Sequence, residues 1–346
     1  MSQDKIRIGL IGAGKNTREL HIPHLLALPG IELTEVANRT LGSSEKVATQ
    51  FNIQRFRSRW QEVVVSKNVD AIVIGTWPYL HCEASCAALN SGKHVLCEAR
   101  MAMNLMEAKQ MLKISKEHQN LTSQLVPAPF TLHIDNTIRS YIDQGRLGRV
   151  LYFCVNYQSS PVASSKFLHW RRNRKYSGEN TMVLGIIYES ILRWIPPAKN
   201  VNAVGNIFDD KSIDPESGEL VAVEIPDYLS VQMKMENGVH GSFLISETSL
   251  HAPSPNIKIF GTEGSLKIDF VPNGKLWYGT KTDDCLQEVK INSKDKGYWR
   301  VEEEFINAIQ GKESINLTTF STGLKYMRFT QAVMDSYREG GQTKFL

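Results

Sequence analysis

Long apolar runs are missing from this 346-residue chain, and no stretch approaches the roughly 20 residues that cross a bilayer, so no membrane span is expected. Cysteine is scarce. The five present are an odd number with no C-x-x-C pair, which excludes a disulfide framework or a zinc ribbon and fits reduced thiols in a cytoplasm. Cys82 and Cys86 stand one helical turn apart, but two thiolates without further ligands at recognised spacings make no metal site. Neither sign of charge dominates: a formal +4 is too small to drive nucleic-acid binding. The one dense basic run, His169–Lys175, has no companion stripe elsewhere. Met1–Lys5 puts no apolar stretch behind a basic flank, so a leader is not expected and the cytoplasm is. Internal repeats and low-complexity linkers are absent as well.

What is present reads as two domains, because 346 residues exceed one comfortable core. Up to about residue 126, strand and helix patterns alternate. Ile6–Ile11, Ile31–Ala37, Val69–Gly75, Gly92–Glu98 and Leu121–Val126 read as strands, with helices between them. That alternation argues a parallel sheet wrapped on both faces. The first strand runs straight into Gly12–Ala13–Gly14 and then into a helical pattern. In such a unit the first glycine permits the tight turn, and the second lets backbone amides approach a pyrophosphate at the positive end of the helix. Thr17 stands where a third glycine would give close packing. After the second strand come Asn38, Arg39, Thr40 and Ser43, with no carboxylate to hold two ribose hydroxyls, and Gly12, Gly14, Thr17, Asn38, Arg39 and Ser43 are the cofactor contacts expected here. Arg39 suits a 2′-phosphate, which places NADP(H) ahead of NAD(H).

The second half changes character. Leu229, Val231, Met233 and Met235 alternate with polar neighbours, and Glu236–Asn237–Gly238 turns that strand into Val239–Ile245. Thr262–Glu263–Gly264 and Pro272–Asn273–Gly274 mark two more hairpins. The expectation is a Rossmann dinucleotide-binding domain over 1–126 and an α+β domain over 127–346, the latter with a large, mostly antiparallel open sheet. An open sheet face needs cover, so a homo-oligomer, dimer or tetramer, is expected.

Gly75–Thr76–Trp77–Pro78–Tyr79–Leu80–His81, then Ala87–Ala88–Leu89, then Gly92–Lys93–His94–Val95–Leu96–Cys97–Glu98 resembles the Gfo/Idh/MocA oxidoreductases. Ile259–Leu266 is similar to a hairpin of that family's second domain. The resemblance implies hydride exchange between a nicotinamide and a sugar, cyclitol or related polyhydroxylated substrate, with Thr76, His81 and Glu98 near the cofactor. It also implies a catalytic set that this sequence lacks. Glu98–Ala99–Arg100 replaces Glu–Lys–Pro, and Val183 and Ile187 occupy the places of an aspartate and a histidine. None of these three side chains moves a proton. Tyr188, His169 and Arg100 are the replacement candidates; Tyr188 also reads as a core tyrosine and His169 as part of a solvated loop, and Arg100 could orient a carboxylate or hydroxyl without being the base. Glu189, next to Tyr188, reads either as a proton route or as a helix-surface glutamate. Two other classes stay open: a lyase or glycosidase that uses its cofactor transiently, and a cofactor-binding interaction protein without chemistry.

Overall fold

The computed structural model describes residues 5–160, 166–270 and 274–346. The chain forms two compact units: Met1–Pro127 with Arg300–Met327, and Ala128–Trp299 with Arg328–Leu346. A single division at 126/127 was expected. The division falls at 127/128, and the return of 300–327 to the first unit had no signal in the pattern.

In the first unit β1 (Ile6–Ile11) leads into a helical segment over 15–26, π-wound across Thr17–His21 before α1 (Ile22–Leu26). There follow β2 (Ile31–Ala37), α2 (Leu41–Phe51), β3 (Arg55–Arg57), α3 (Trp60–Val64) and β4 (Ala71–Ile74). Next come α4 (His81–Asn90), β5 (His94–Cys97), α5 (Leu105–Glu117) and β6 (Ser123–Leu125). The six strands pair in parallel in the order β3-β2-β1-β4-β5-β6. This is the doubly wound order, whose direction reverses between β1 and β4. Ala71, Ile72, Val73 and Ile74 are all buried, as a strand covered by helices on both faces requires. Thr40 caps α2 by accepting from the Ser43 amide, and Asn52 ends it in the left-handed conformation at φ 54°.

In the second unit α6 (Asp135–Asp143) and β7 (Val150–Gln158) precede the helical turn α7 (Arg174–Ser177), α8 (Leu184–Ile191) and β8 (Ala198–Asn206). A separate two-stranded ribbon, β9 (Lys211–Ile213) with β10 (Leu220–Ala222), escaped the pattern reading, because three-residue strands show no period. β11 (Tyr228–Met235), β12 (His240–Ser246), β13 (Asn256–Gly261), β14 (Gly264–Asp269), β15 (Lys275–Thr280) and β16 (Gln287–Glu288) follow. The expected antiparallel pairing of β11 with β12 is present, with Leu229 opposite Ile245 and Met233 opposite Gly241. The turn expected at Pro272–Asn273 lies outside the described residues. The chain ends with α9 (Val301–Ile309), α10 (Phe320–Arg338) and β17 (Lys344–Phe345). The nine-stranded sheet runs β16-β15-β14-β13-β7-β12-β11-β8-β17, antiparallel except where β7 lies parallel to β12. On its covered face the Tyr188 ring stacks on Phe329 at 3.7 Å, and Phe243 meets Phe329 edge-on at 5.9 Å. Among the described residues no helix is long and apolar enough to cross a membrane.

Candidate functional site

The glycine turn at the end of β1 is built as a cradle. Gly12 has φ +80°, and a Cβ there would stand 2.4 Å from Thr76 Cγ2 and 2.8 Å from the Thr76 amide, so only glycine fits. Thr17 turns inward, with its hydroxyl 3.2 Å from the Gly12 carbonyl. A Cβ on Gly75 would meet that hydroxyl at 2.0 Å. Thr17 therefore packs the turn against β4, the duty of the missing third glycine, and its expected cofactor contact is corrected to that packing role. Gly14 is different. It is exposed, and a Cβ there would find only the Gly75 carbonyl, at 3.9 Å. Nothing in the protein itself demands glycine at this point. The helical segment begins at residue 15 directly behind it, and the first amides of a helix have no partner within it.

Asn38, expected on a ligand, instead braces the turn: its Oδ1 accepts the Ala13 amide at 2.7 Å and its Nδ2 donates to the Ser43 carbonyl at 3.0 Å. The Ser43 hydroxyl donates to the Thr40 carbonyl at 2.9 Å. Both side chains are thus committed to local structure. Arg39 and Thr40 are the exposed polar residues at this strand end.

At the ends of β4 and β5, His81 is completely buried and ties two loops together. Its Nδ1 lies 2.8 Å from the Arg100 carbonyl and its Nε2 3.0 Å from the Thr76 carbonyl. Burial lowers its pKa, against the pull of those carbonyls. Expected beside the cofactor, His81 is placed one layer beneath, where it fixes Thr76. Arg100 is also buried, at 2% exposure. Glu98, one residue past β5, accepts from the Asn16 side chain at Oε1 and from the Ala99 amide at Oε2, 3.1 Å away.

His21 and Glu302 belong to this site and were not singled out in the sequence. His21 is fully buried, its Nδ1 2.6 Å from Glu302 and its Nε2 3.0 Å from Glu98. Burial alone would push the imidazole down. The hydrogen bonds and charges of the two carboxylates outweigh it and raise the pKa to about 9. Glu98, which burial would raise, is held below the usual carboxylate range chiefly by His21, with Asn16 and His81 assisting. A raised histidine contributes stability that is complete below its unfolded value and disappears as pH climbs through the folded one. The unfolding free energy of the first unit should therefore fall as pH rises from about 7 past about 9, by on the order of 3 kcal/mol at most. His21→Gln should remove that alkaline fall in calorimetric scans.

The second unit treats its two candidates differently. Tyr188 has no exposed surface, and its hydroxyl accepts the Ala198 amide at 2.7 Å. Burial raises its pKa beyond the ordinary phenol range. Its placement is that of a core residue. Tyr188→Phe should cost about 1–3 kcal/mol in chemical denaturation, because the Ala198 amide loses its acceptor, and should leave nicotinamide turnover unchanged. Glu189 is buried rather than on the helix surface, and pairs with Arg193 at 2.7 Å. His169 is exposed, with Nδ1 accepting from the Arg171 amide at 3.3 Å. Of the basic run around it, Arg172 pairs with Asp209 at 2.9 Å and Arg174 with Glu179 at 2.7 Å. Two of the run's three arginines are therefore paired with acids, which suits a folded loop better than a nucleic-acid surface.

Among the described residues, no group of three or more histidine, cysteine, aspartate or glutamate side chains is arranged to hold a metal ion. The arrangement over 6–125 matches a family model described as "Oxidoreductase family, NAD-binding Rossmann fold". Residues 136–267 match the model of the GFO/IDH/MocA C-terminal domain. The chain belongs to the GFO/IDH/MocA oxidoreductase family. Among similar proteins, trans-1,2-dihydrobenzene-1,2-diol dehydrogenase of Mus musculus is 27% identical over 282 residues, 80% of this chain and 77% of its own length. Levoglucosan dehydrogenase of Pseudarthrobacter phenanthrenivorans is 23% identical over 316 residues, 81% of this chain and 77% of its own. A solved levoglucosan dehydrogenase in complex with NADH and L-sorbose superposes with a TM-score of 0.84 at 20% identity, over 99% of this chain and 98% of that one. That likeness is one of fold. A nicotinamide dinucleotide fits the GFO/IDH/MocA member described here on its own geometry. Gly14, exposed and with room for a Cβ, the start of the helical segment behind it and the β1/β4 reversal stand where such folds hold a pyrophosphate.

Proposed function

We propose that the protein is an NADP(H)-preferring dehydrogenase of a sugar, cyclitol or related polyhydroxylated small molecule. The observation that carries this reading is the cradle: a Gly12 that the turn requires, beside a Gly14 that only a close ligand requires. Gly12, Gly14 and the following amides would hold the pyrophosphate, Thr76 and Glu98 would line the second nucleotide half, and Arg39 would take the 2′-phosphate. When bound, the cofactor supplies the hydride acceptor or donor. This chain's part is to place it, to keep the strand ends rigid through His81 and Asn38, and to handle the proton that accompanies each hydride. Ala99, Val183 and Ile187 cannot do that. His169 is the proton partner we assign, since it is the exposed titratable group of the three candidates, whereas Tyr188 and Arg100 are buried. The names of the relatives, for levoglucosan and trans-1,2-dihydrobenzene-1,2-diol, support a hydroxylated ring as substrate class. We assign a homo-oligomer as well, formed through the uncovered sheet face that carries the stacked pair Tyr152 and Phe260; a monomeric mass in light scattering would refute it.

The missing ionisable groups at 99, 183 and 187 favour one rival: a member that binds the cofactor without turning it over. Incubation with NADP⁺ and a panel of sugars and cyclitols, read by nicotinamide absorbance and product mass, separates the two. Reduction of the cofactor supports the dehydrogenase. Binding in calorimetry with no product across the panel supports the rival. Arg39→Ala should weaken NADP(H) about tenfold, the scale of one exposed charge-assisted contact, with NAD(H) unaffected. Equal affinity of the unaltered protein for both cofactors would remove that role.

A further inference from the structure

The first unit buries a charge cluster that holding a dinucleotide does not by itself call for. Both ring nitrogens of His21 face carboxylate oxygens, Nδ1 toward Glu302 at 2.6 Å and Nε2 toward Glu98 at 3.0 Å. An imidazole donates from both nitrogens only as the imidazolium. Two carboxylates therefore share one cation and leave one negative charge over. Glu302 is enclosed, its side chain 1% exposed, with its other oxygen 3.4 Å from Nδ1 of His24. Glu98 keeps 13% of its side chain open to solvent. A net charge is least costly on the member that water reaches, so the excess sits on Glu98. The groups facing the cluster are Glu98 after β5, Glu302 on α9, His24 on α1 and His81 on α4. Burial holds the pKa of the last down.

Glu98 has little freedom. Asn16 from the helical segment behind the glycine turn and the Ala99 amide each hold one of its oxygens, and His21 holds it from behind. It stands where β5 ends, and in a doubly wound sheet the second mononucleotide half lies beyond the carboxyl ends of the strands on that side. An oxidised nicotinamide ring carries a positive charge and a reduced one is neutral. A fixed carboxylate there separates the two states by electrostatics alone.

We propose that His21 is a positioning residue, whose imidazolium, backed by Glu302, keeps Glu98 ionised and oriented so that the site favours the oxidised over the reduced nicotinamide. The proposal rests on the dinucleotide reading above. A carboxylate held below its usual range is a weak proton acceptor, so the part of Glu98 is electrostatic and not that of a general base.

The test combines histidine NMR of the cofactor-free protein with calorimetric titration of NADP⁺ and NADPH, from about pH 5.5 to about pH 7.5, a span that brackets the free imidazole value and stays below the raised one. The unaltered protein, His21→Gln and Glu302→Gln are compared, and the His21 resonance is assigned by its loss in His21→Gln. The His21 signal should not titrate across that range in the unaltered protein, and the ratio of oxidised to reduced affinity should stay flat. Without His21, the cation that holds the Glu98 carboxyl below its usual range is gone, and Glu98 takes up a proton more readily as pH falls. The oxidised cofactor should then lose on the order of tenfold in affinity toward the acid end while the reduced one changes little. Glu302→Gln should bring the His21 titration down into the measured range. A His21 signal that titrates near the free imidazole value would overturn the proposal. So would an equal loss of both cofactors at every pH in His21→Gln, which assigns a purely structural role. If the unaltered protein binds neither cofactor form, the dinucleotide reading fails and takes the ligand part of this proposal with it. The NMR titration still decides whether the cluster is charged as described.

Discussion

Gly14→Val should reduce cofactor affinity a hundredfold or more, about 3 kcal/mol, while the protein remains as stable as before. Gly12→Ala should damage both. The contrast follows from what a Cβ meets at each position. At Gly14 the nearest atom is the Gly75 carbonyl at 3.9 Å, an ordinary contact, and the residue faces solvent. The added side chain therefore costs the fold almost nothing and occupies the space a pyrophosphate would need. At Gly12 the backbone has φ +80°, and the new Cβ lies 2.8 Å from a backbone nitrogen, which cannot swing aside as a side-chain tip can. Left-handed strain of about 1–2 kcal/mol and the clash add together, for a total of about 3 kcal/mol or more. Thermal unfolding and calorimetric titration of both variants read the two effects separately. A Gly14→Val protein that binds NADP(H) as well as the parent would reject the pocket. A Gly12→Ala protein of undiminished stability would reject the description of the turn.

The second large effect lies far from any cofactor. Arg193→Met should lower the stability of the second unit by about 3–5 kcal/mol, the cost of leaving buried charges without their counter-ion. The Arg193 guanidinium donates to Asp135 at 2.7 Å, to Glu189 at 2.7 Å and 3.2 Å, and to the Ala128 carbonyl at 2.8 Å. Trp194 adds its indole N–H to Asp135 at 2.9 Å, and the Ala128 amide donates to Glu189 at 2.9 Å. With methionine in place, two enclosed carboxylates face each other without a cation. Urea unfolding followed by tryptophan fluorescence checks the loss. A loss under about 1 kcal/mol would place this network among exposed ion pairs of small worth.

Much of the architecture was legible in the chain because its signals are local. The alternation of strand and helix to residue 126, the glycine turn after β1 and the period-two run Leu229–Met235 each express a preference of neighbouring residues for one backbone and one buried face. The missing acid after β2 is local too, as are the uncharged residues at 99, 183 and 187. Where side chains finally point is not local. Asn38 and Ser43 read as ligand contacts, but the turn and the α2 cap take up their hydrogen-bonding groups. His81 and Tyr188 read as site residues, yet one staples two loops from beneath and the other stacks in a core against Phe329. Glu189 read as surface because a lone helical glutamate usually is; Arg193 made burial tolerable.

Sequence alone determined the fold class, the family resemblance and the place where a dinucleotide would lie, since strand ends, glycine turns and hydrophobic periods are written in consecutive residues. Only the tertiary structure decided that 300–327 return to the first unit and bring Glu302 against His21, 281 positions earlier in the chain. Neither residue is unusual in its own neighbourhood. The charge each carries follows from burial beside the other and beside Glu98, and burial is a property of the packed unit, which no stretch of sequence possesses by itself.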